Sequence, residues 1–193
     1  MAKQVIVLAG PSGSGKNAVI KEIQKQHPNV VRLITATTRL PRPGEVNGVD
    51  YHFMSQEQFD AAMSEGKIPE HRFVPELNTY YGTYLPDLEQ KIKAGKIVFA
   101  QVDIEGARLM KEKYNATTIF IMPESIEQFK GRLRVRNPEW SQKEFDARMK
   151  ITEAEIHQHS PQYDYRVINA DGALPETVAQ VLDIMHKEGY NLG

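Results

Sequence analysis

The run Gly10-Pro11-Ser12-Gly13-Ser14-Gly15-Lys16 constrains this chain more than any other feature. It lies between the apolar run Val5–Ala9 and a segment of helical character from Asn17 to about Gln26. Buried strand, glycine-rich turn and helix, in that order, are the setting of a phosphate-binding P-loop. Glycines let several backbone N–H groups converge on one concavity. The following helix turns its positive end to the same point, and Lys16 adds a full charge where terminal phosphates would lie. The position after the lysine, where a hydroxyl commonly meets a metal ion or a phosphate oxygen, is Asn17, followed by Ala18. An amide oxygen is a weaker partner for a hard cation than a carboxylate but an acceptable one. The phosphate cradle therefore reads as complete and its metal arm as altered.

The rest of the chain bounds what surrounds this loop. Its 193 residues suffice for one α/β domain with a small insert. A net charge of −1 gives no global basic field, so nucleic acid is not expected as a partner. No apolar stretch is long enough to span a bilayer. Met1 leads through Ala2, Lys3 and Gln4 into a strand without a signal-peptide pattern. With no cysteine, disulfides and thiolate metal sites are excluded. The expectation is a cytoplasmic protein with no membrane partner, its oligomeric state left open.

Short β-branched runs recur at Val5–Ala9, Val30–Ile34, Ile97–Val102, Thr117–Ile121 and Tyr165–Ile168. They alternate with helical segments: Ser125 to about Arg136, a helix opened by the capping box Ser141…Glu144 and running toward His157, and Leu174 to about Lys187. This predicts a three-layer α/β fold of P-loop NTPase type, a parallel sheet with helices on both faces. Residues 35–94 break the rhythm with Pro41, Pro43-Gly44, Asn47-Gly48, Pro69 and Pro75. They read as an inserted small mixed α/β lobe carrying short antiparallel strands such as Tyr51-His52-Phe53. Residues 1–34 and 95–193 form the core, and residues 132–150, a helical hairpin around Asn137-Pro138, read as a lid.

A second anion grip follows the second strand. Arg39 and Arg42 bracket Pro41, and two guanidinium forks at that spacing suit a dianionic phosphate. Tyr51 and Tyr81 supply hydroxyl donors to the same group. Beside a P-loop, this places a phosphate acceptor opposite a phosphate donor.

At this point the chain resembles guanylate kinase. The resemblance rests on Gly10–Lys16, on Thr37-Thr38-Arg39-x-Pro41-Arg42-x-Gly44-Glu45-x-Asn47-Gly48-x-Asp50-Tyr51, on Tyr80-Tyr81-Gly82-Thr83, on Val102-Asp103-Ile104-Glu105-Gly106 and on Arg132–Arg136. It runs from about Val5 to Asn169. It implies transfer of the γ-phosphoryl group of ATP to GMP, and dGMP with it, with Mg²⁺ accompanying ATP. Carried over by position, Gly10–Lys16, Asn17, Ala18 and Asn169 bind ATP, with Asn169 near the adenine. Arg39, Arg42, Tyr51 and Tyr81 hold the GMP phosphate. Glu70 accepts from guanine N1–H and the exocyclic amine, Thr83 donates to the guanine carbonyl, and Thr35 and Asp103 make further base contacts. Lys16, Arg39, Arg132, Arg136 and Arg148 carry the catalysis, the last three from the lid. The metal ligands stay open, with Asn17 or Asp103 acting through water.

The departures from that family's pattern lie on the metal side. Asn17 and Ala18 replace the usual hydroxyl residues, and Gln101 stands where an acid two residues before Asp103 is usual. The segment between Glu70 and Tyr81 is also slightly longer, carrying Pro75-Glu76. Asn17 leans toward a ribose 1,5-bisphosphokinase-like enzyme, and a guanylate-kinase-like binding protein with weak catalysis is a further alternative. The block from Glu45 to Tyr51, Glu70 and Tyr81 opposes the first. The intact Gly10–Lys16 loop and the lid arginines oppose the second. His157 and His159 read as surface histidines and Trp140 as a packing anchor. Without the resemblance, Glu70 reads as an exposed acid, Asp103 as a helix cap, and the lid arginines as partners of Glu139, Glu144 or Asp146.

Overall fold

The computed structural model describes residues 2–193; Met1 lies outside them. Its central sheet holds β1 (Val5–Ala9), β2 (Val30–Arg32), β7 (Ile97–Ala100), β8 (Thr117–Met122) and β9 (Tyr165–Ile168) in the order β2-β7-β1-β8-β9. All four pairings are parallel. Alternate residues of β1 enter opposite cores. Ile6 and Leu8 pack with Val19, Ile20 and Ile23 of α1 (Lys16–Gln26) and Val178, Val181 and Met185 of α7 (Leu174–Lys187). Val5, Val7 and Ala9 pack with Leu88 of α3 (Leu85–Lys93) and with Ala107 and Met110 of α4 (Ile104–Tyr114). A strand buried on both faces reads as a continuous apolar run, which is why these strands are plain in the sequence.

A second sheet has the order β4-β3-β6-β5, built from β3 (Ala36–Thr37), β4 (His52–Phe53), β5 (His71–Val74) and β6 (Thr79–Gly82). β6 pairs antiparallel with β3 and β5, but β4 runs parallel to β3. The expectation of an antiparallel strand at Tyr51-His52-Phe53 is thus corrected. Residues 38–51 loop out and return to the starting edge, so β4 repeats the direction of β3 instead of reversing it. One face of this sheet is closed by α2 (Gln56–Ser64), whose Phe59 and Ala62 pack on Ala36 and Ile68. The other face is open. Buried Asp87 on α3 ties the two sheets together. It accepts from the Ile34 N–H at 2.9 Å and from Lys91 at 2.5 Å, and it meets His52 Nε2 at 3.2 Å.

The hairpin of α5 (Ile126–Arg136) and α6 (Gln142–Ala154) has its own apolar cluster of Phe129, Leu133, Phe145 and Met149, with Trp140 packed against it. Trp140 thus packs as expected. The Ser141–Glu144 capping box forms, and beyond Ala154 the helix widens into a π turn at Glu155–His159. No helix among the described residues is long and apolar enough to cross a membrane.

Candidate active site

The loop between β1 and α1 sits at the carboxyl end of the central strand, where ligands of open α/β sheets bind. Gly10, Gly13 and Gly15 have φ of 137°, 101° and 95°, backbone angles that favour glycine. A side chain is also excluded by space. A Cβ at Gly10 would lie 2.3 Å from the Ile121 carbonyl oxygen, and one at Gly15 would lie 2.2 Å from Asn169 Nδ2. Helix α1 opens without a side-chain cap and without an acidic residue in its first turn. Its first N–H groups and its dipole therefore remain available to an anion. Lys16 Nζ donates to the carbonyls of Gly10 at 2.6 Å and Pro11 at 3.0 Å. Burial lowers its pKa to about 8, the positive charges of Arg148 and Arg136 add to the fall, and Glu155 opposes it.

Ser12, Gly13, Gly15, Lys16, Asn17, Ala18, Arg132 and Arg136 line one cavity of about 390 Å³. Two of the three expected lid arginines thus face the P-loop. Arg132 does not pair with Glu139, Glu144 or Asp146. Its Nε donates to Asp171 Oδ1 at 2.6 Å and its Nη2 to the Asn169 carbonyl at 3.0 Å. Arg148 is half-buried on α6, near enough to lower the Lys16 pKa.

Asn169 lies beneath the loop, with 7% of its surface exposed. Its Nδ2 donates to the Ser14 carbonyl at 2.8 Å, and its Oδ1 accepts from Thr177 Oγ1 at 3.0 Å. Its side chain is engaged with the loop's underside and with α7. No feature of the sequence marked Thr177 as part of this contact.

Across the strand ends, a cavity of about 280 Å³ is lined by Thr35, Tyr51, Glu70, Tyr81, Thr83 and Asp103, with Arg72, Val74 and Gln101. Six residues predicted for the acceptor thus meet in one place. Glu70 Oε2 accepts from Thr83 Oγ1 at 2.8 Å. Burial raises the Glu70 pKa, and the nearby Asp103 charge raises it further. Gly106 is tight against this carboxylate, since a Cβ there would lie 3.1 Å from Glu70 Oε2. Asp103 also caps α4, accepting from the N–H groups of Glu105 and Gly106 at 3.1 and 3.0 Å.

Arg39 and Arg42 stand beside this cavity without lining it. Both Arg39 Nη atoms donate to Glu45, at 2.7 and 2.8 Å, and its guanidinium stacks over Tyr51 at 5.2 Å and Phe53 at 5.4 Å. The Arg39 contact holds the Glu45 pKa down to about 2, helped by the Arg42 N–H. Arg42 itself is exposed. Just past the P-loop lysine, Gln101 Nε2 donates to Asn17 Oδ1 at 2.9 Å. Of the two histidines, His157 is exposed, whereas half-buried His159 lines a cavity beside Gly10. No cluster of three or more His, Asp or Glu side chains suited to a metal ion exists among the described residues.

A P-loop at the centre of a parallel sheet, faced by a second polar cavity on a small mixed sheet, defines a P-loop kinase of small phosphorylated acceptors. The guanylate kinase family model matches residues 2–188. The chain is 38% identical over 169 residues to a guanylate kinase of Thermosynechococcus vestitus, covering 87% of this chain and 86% of that one. It is 39% identical over 166 residues to one of Clostridium perfringens, covering 86% and 75%. A crystal structure of guanylate kinase from Anaplasma phagocytophilum aligns over 98% of this chain and 88% of its own, with TM-score 0.69 and 30% identity. The chain belongs to the guanylate kinase family.

Proposed function

We infer that this protein is a phosphotransferase that moves the γ-phosphoryl group of ATP to GMP, giving ADP and GDP. The observation that carries the acceptor's identity is the Glu70–Thr83 pair, 2.8 Å apart on the wall of the acceptor cavity. Guanine presents two adjacent N–H donors and a carbonyl on one edge. The carboxylate accepts from both donors, and the Thr83 hydroxyl, whose one proton goes to Glu70 in the free protein, turns to donate to the carbonyl. Adenine offers the opposite pattern, and unmet partners in a part-buried site are costly. A ribose bisphosphate would leave this pair without a counterpart, which weighs against the bisphosphokinase alternative.

Phosphoryl transfer depends on alignment and charge neutralisation more than on covalent assistance. The amides of the Gly10–Lys16 loop, with Asn17 and Ala18 at the start of α1, hold the donor phosphates. Lys16 leaves the Gly10 and Pro11 carbonyls to meet them. Arg39, Arg42, Tyr51 and Tyr81 hold the acceptor phosphate, while Thr35 and Asp103 complete the base pocket. Arg132, Arg136 and Arg148 close from the lid over the transferring group. The acceptor is already an anion, so no general base is required. Residues 35–94 act as the acceptor lobe and residues 132–150 as the lid.

Mg²⁺ would accompany ATP, and when bound it neutralises phosphate charge. The residues present fit a cation that arrives on the nucleotide, because Mg²⁺ keeps several waters and takes ligands from substrate phosphates. Asn17 Oδ1, which retains a lone pair beside its Gln101 bond, and Asp103 would reach it through water. The soluble compartment expected is the cytoplasm. A coupled ADP-release assay with GMP, AMP, UMP and CMP tests the reading. GMP alone is expected to turn over, with Lys16→Ala nearly inactive and Glu70→Ala blurring base choice. Turnover of AMP matching that of GMP would overturn it.

A further inference from the structure

We propose that Arg72 is a further anion-binding residue of the acceptor site, donating to the acceptor phosphate beside Tyr81. The proposal rests on the reading of the acceptor as a nucleoside monophosphate.

Side chains two apart on a strand share a face, so Glu70, Arg72 and Val74 point the same way. Residues directly opposite across a pair also share a face. The Thr83 N–H donates to the Glu70 carbonyl at 3.0 Å, Arg72 stands opposite Tyr81, and Tyr81 stands opposite Thr37. Thr37 in turn is paired with Phe53, on whose ring Arg39 stacks. The open face of the small sheet thus carries two rows. The first is Glu70 with Thr83. The second runs Phe53, Thr37, Tyr81, Arg72, with Arg39 at one end and Arg72 at the other. The rows are about 7 Å apart along the strands. A nucleotide whose base sits on the first row places its sugar–phosphate against the second.

The surroundings of Arg72 select the chemistry. Arg72 lines the acceptor cavity with Glu70, Tyr81 and Asp103, and it also lines a neighbouring cavity of about 240 Å³ beside Gly10 and Glu155. It therefore stands at the border between the acceptor cavity and the P-loop end of β1. Among the described residues, Arg39, Arg108 and Arg132 carry ion pairs and Arg72 does not. A guanidinium has five donors and no acceptor, so a group it meets in the second row must be rich in acceptor oxygens. Of the parts of a nucleoside monophosphate, the phosphate fits best. The segment between Glu70 and Tyr81 contributes here. It forms a 3₁₀ turn at Pro75–Leu77 and a left-handed Asn78, with φ of 46°, which close the β5–β6 hairpin. That hairpin carries Arg72.

Calorimetric binding of GMP and of guanosine to the parent protein, Arg72→Ala and Arg72→Lys tests this. Arg72→Ala should weaken GMP binding about tenfold or more, the scale of a charged hydrogen bond. It should change guanosine binding by less than about twofold, and Arg72→Lys should recover part of the loss. Arg72 is exposed, so melting temperatures of the variants should match the parent's. Equal losses for GMP and guanosine, or no loss for GMP, would overturn the assignment. Failure of the parent protein to bind GMP at all would instead overturn the acceptor reading beneath it.

Discussion

The side-chain amide of Gln101 donates to Asn17 Oδ1 across 2.9 Å, joining the residue after β7 to the residue after the P-loop lysine. The chain departs from the pattern it resembles at both positions, and the departures meet in one contact. A neutral amide pair satisfies itself without a counter-ion, whereas a carboxylate at 101 beside a hydroxyl at 17 would favour a cation. On that resemblance, the two positions exchange charge for a hydrogen bond.

From that exchange, Gln101→Asp should strengthen the response of nucleotide binding to Mg²⁺ by about tenfold, since one carboxylate is a much better partner for a hard cation than an amide. Calorimetric titration of ATP at several Mg²⁺ concentrations reads the shift directly. The contact is exposed, so thermal stability should change by less than about 1 kcal/mol. A variant with the parent's Mg²⁺ dependence would show that the end of β7 plays no part in cation handling.

Lys16 sets a pH limit on the donor side. Its pKa in the free protein is about 8, below the ordinary 10.5, chiefly through burial. Between these values the unfolded chain holds a proton that the folded protein has shed, so Lys16 makes stability rise with pH in that window. Nucleotide binding takes the opposite course. Phosphates need the charged lysine, so ATP affinity should fall as pH rises above about 8, with proton uptake on binding. Calorimetry in buffers of different ionisation enthalpy detects that proton. Lys16→Ala should lower kcat/KM by about 10²–10³-fold or more and remove the uptake.

Glu70 sets the corresponding limit on the acceptor side. Its pKa is raised by burial and by Asp103, and only the carboxylate form accepts both guanine N–H groups. GMP binding should therefore weaken as pH falls through this raised pKa, starting above the ordinary carboxylate range, and release a proton there. Glu70→Gln puts an amide donor against guanine's donors and should raise the KM for GMP about 10²-fold at neutral pH. A flat pH profile of GMP binding across the acid range would contradict the assignment of Glu70 to the base.

What the sequence disclosed follows from how local each signal is. Val5–Ala9 is visible because both of its faces are buried, and the P-loop because its glycines are adjacent. The second sheet is harder to read, since β3 and β4 have two residues each and pair across a long excursion. α2 and α3 lie in the proline-rich stretch, although Ser55 and Gln58 form a complete capping box. Arg72 had a weak signal, its two-residue spacing from Glu70. The Asn17–Gln101 contact spans 84 positions, and Thr177 carries no mark at all. These depend on which strands and helices end together, a property of the assembled sheet.

The P-loop is held from beneath by a stack of side chains. Asn169 Nδ2 holds the Ser14 carbonyl, Thr177 holds Asn169 Oδ1, and the Asn169 carbonyl receives Arg132. Thr177 is fully buried, so Thr177→Val keeps the shape and removes a hydroxyl shared between Asn169 Oδ1 and the Ala173 carbonyl, 2.9 Å away. The orphaned amide oxygen should cost about 1–3 kcal/mol of stability. Gly15→Ala acts on the same contact from above. Its Cβ would lie 2.2 Å from Asn169 Nδ2 at a φ of 95°, so either the loop or Asn169 must move. Both variants should weaken ATP binding while leaving GMP binding near the parent value, because the acceptor cavity shares no residue with this stack. Thermal melts with ATP alone and with GMP alone separate the two effects. Equal loss of both ligand responses would mean that the disturbance spreads through the sheet and is not confined to the donor loop.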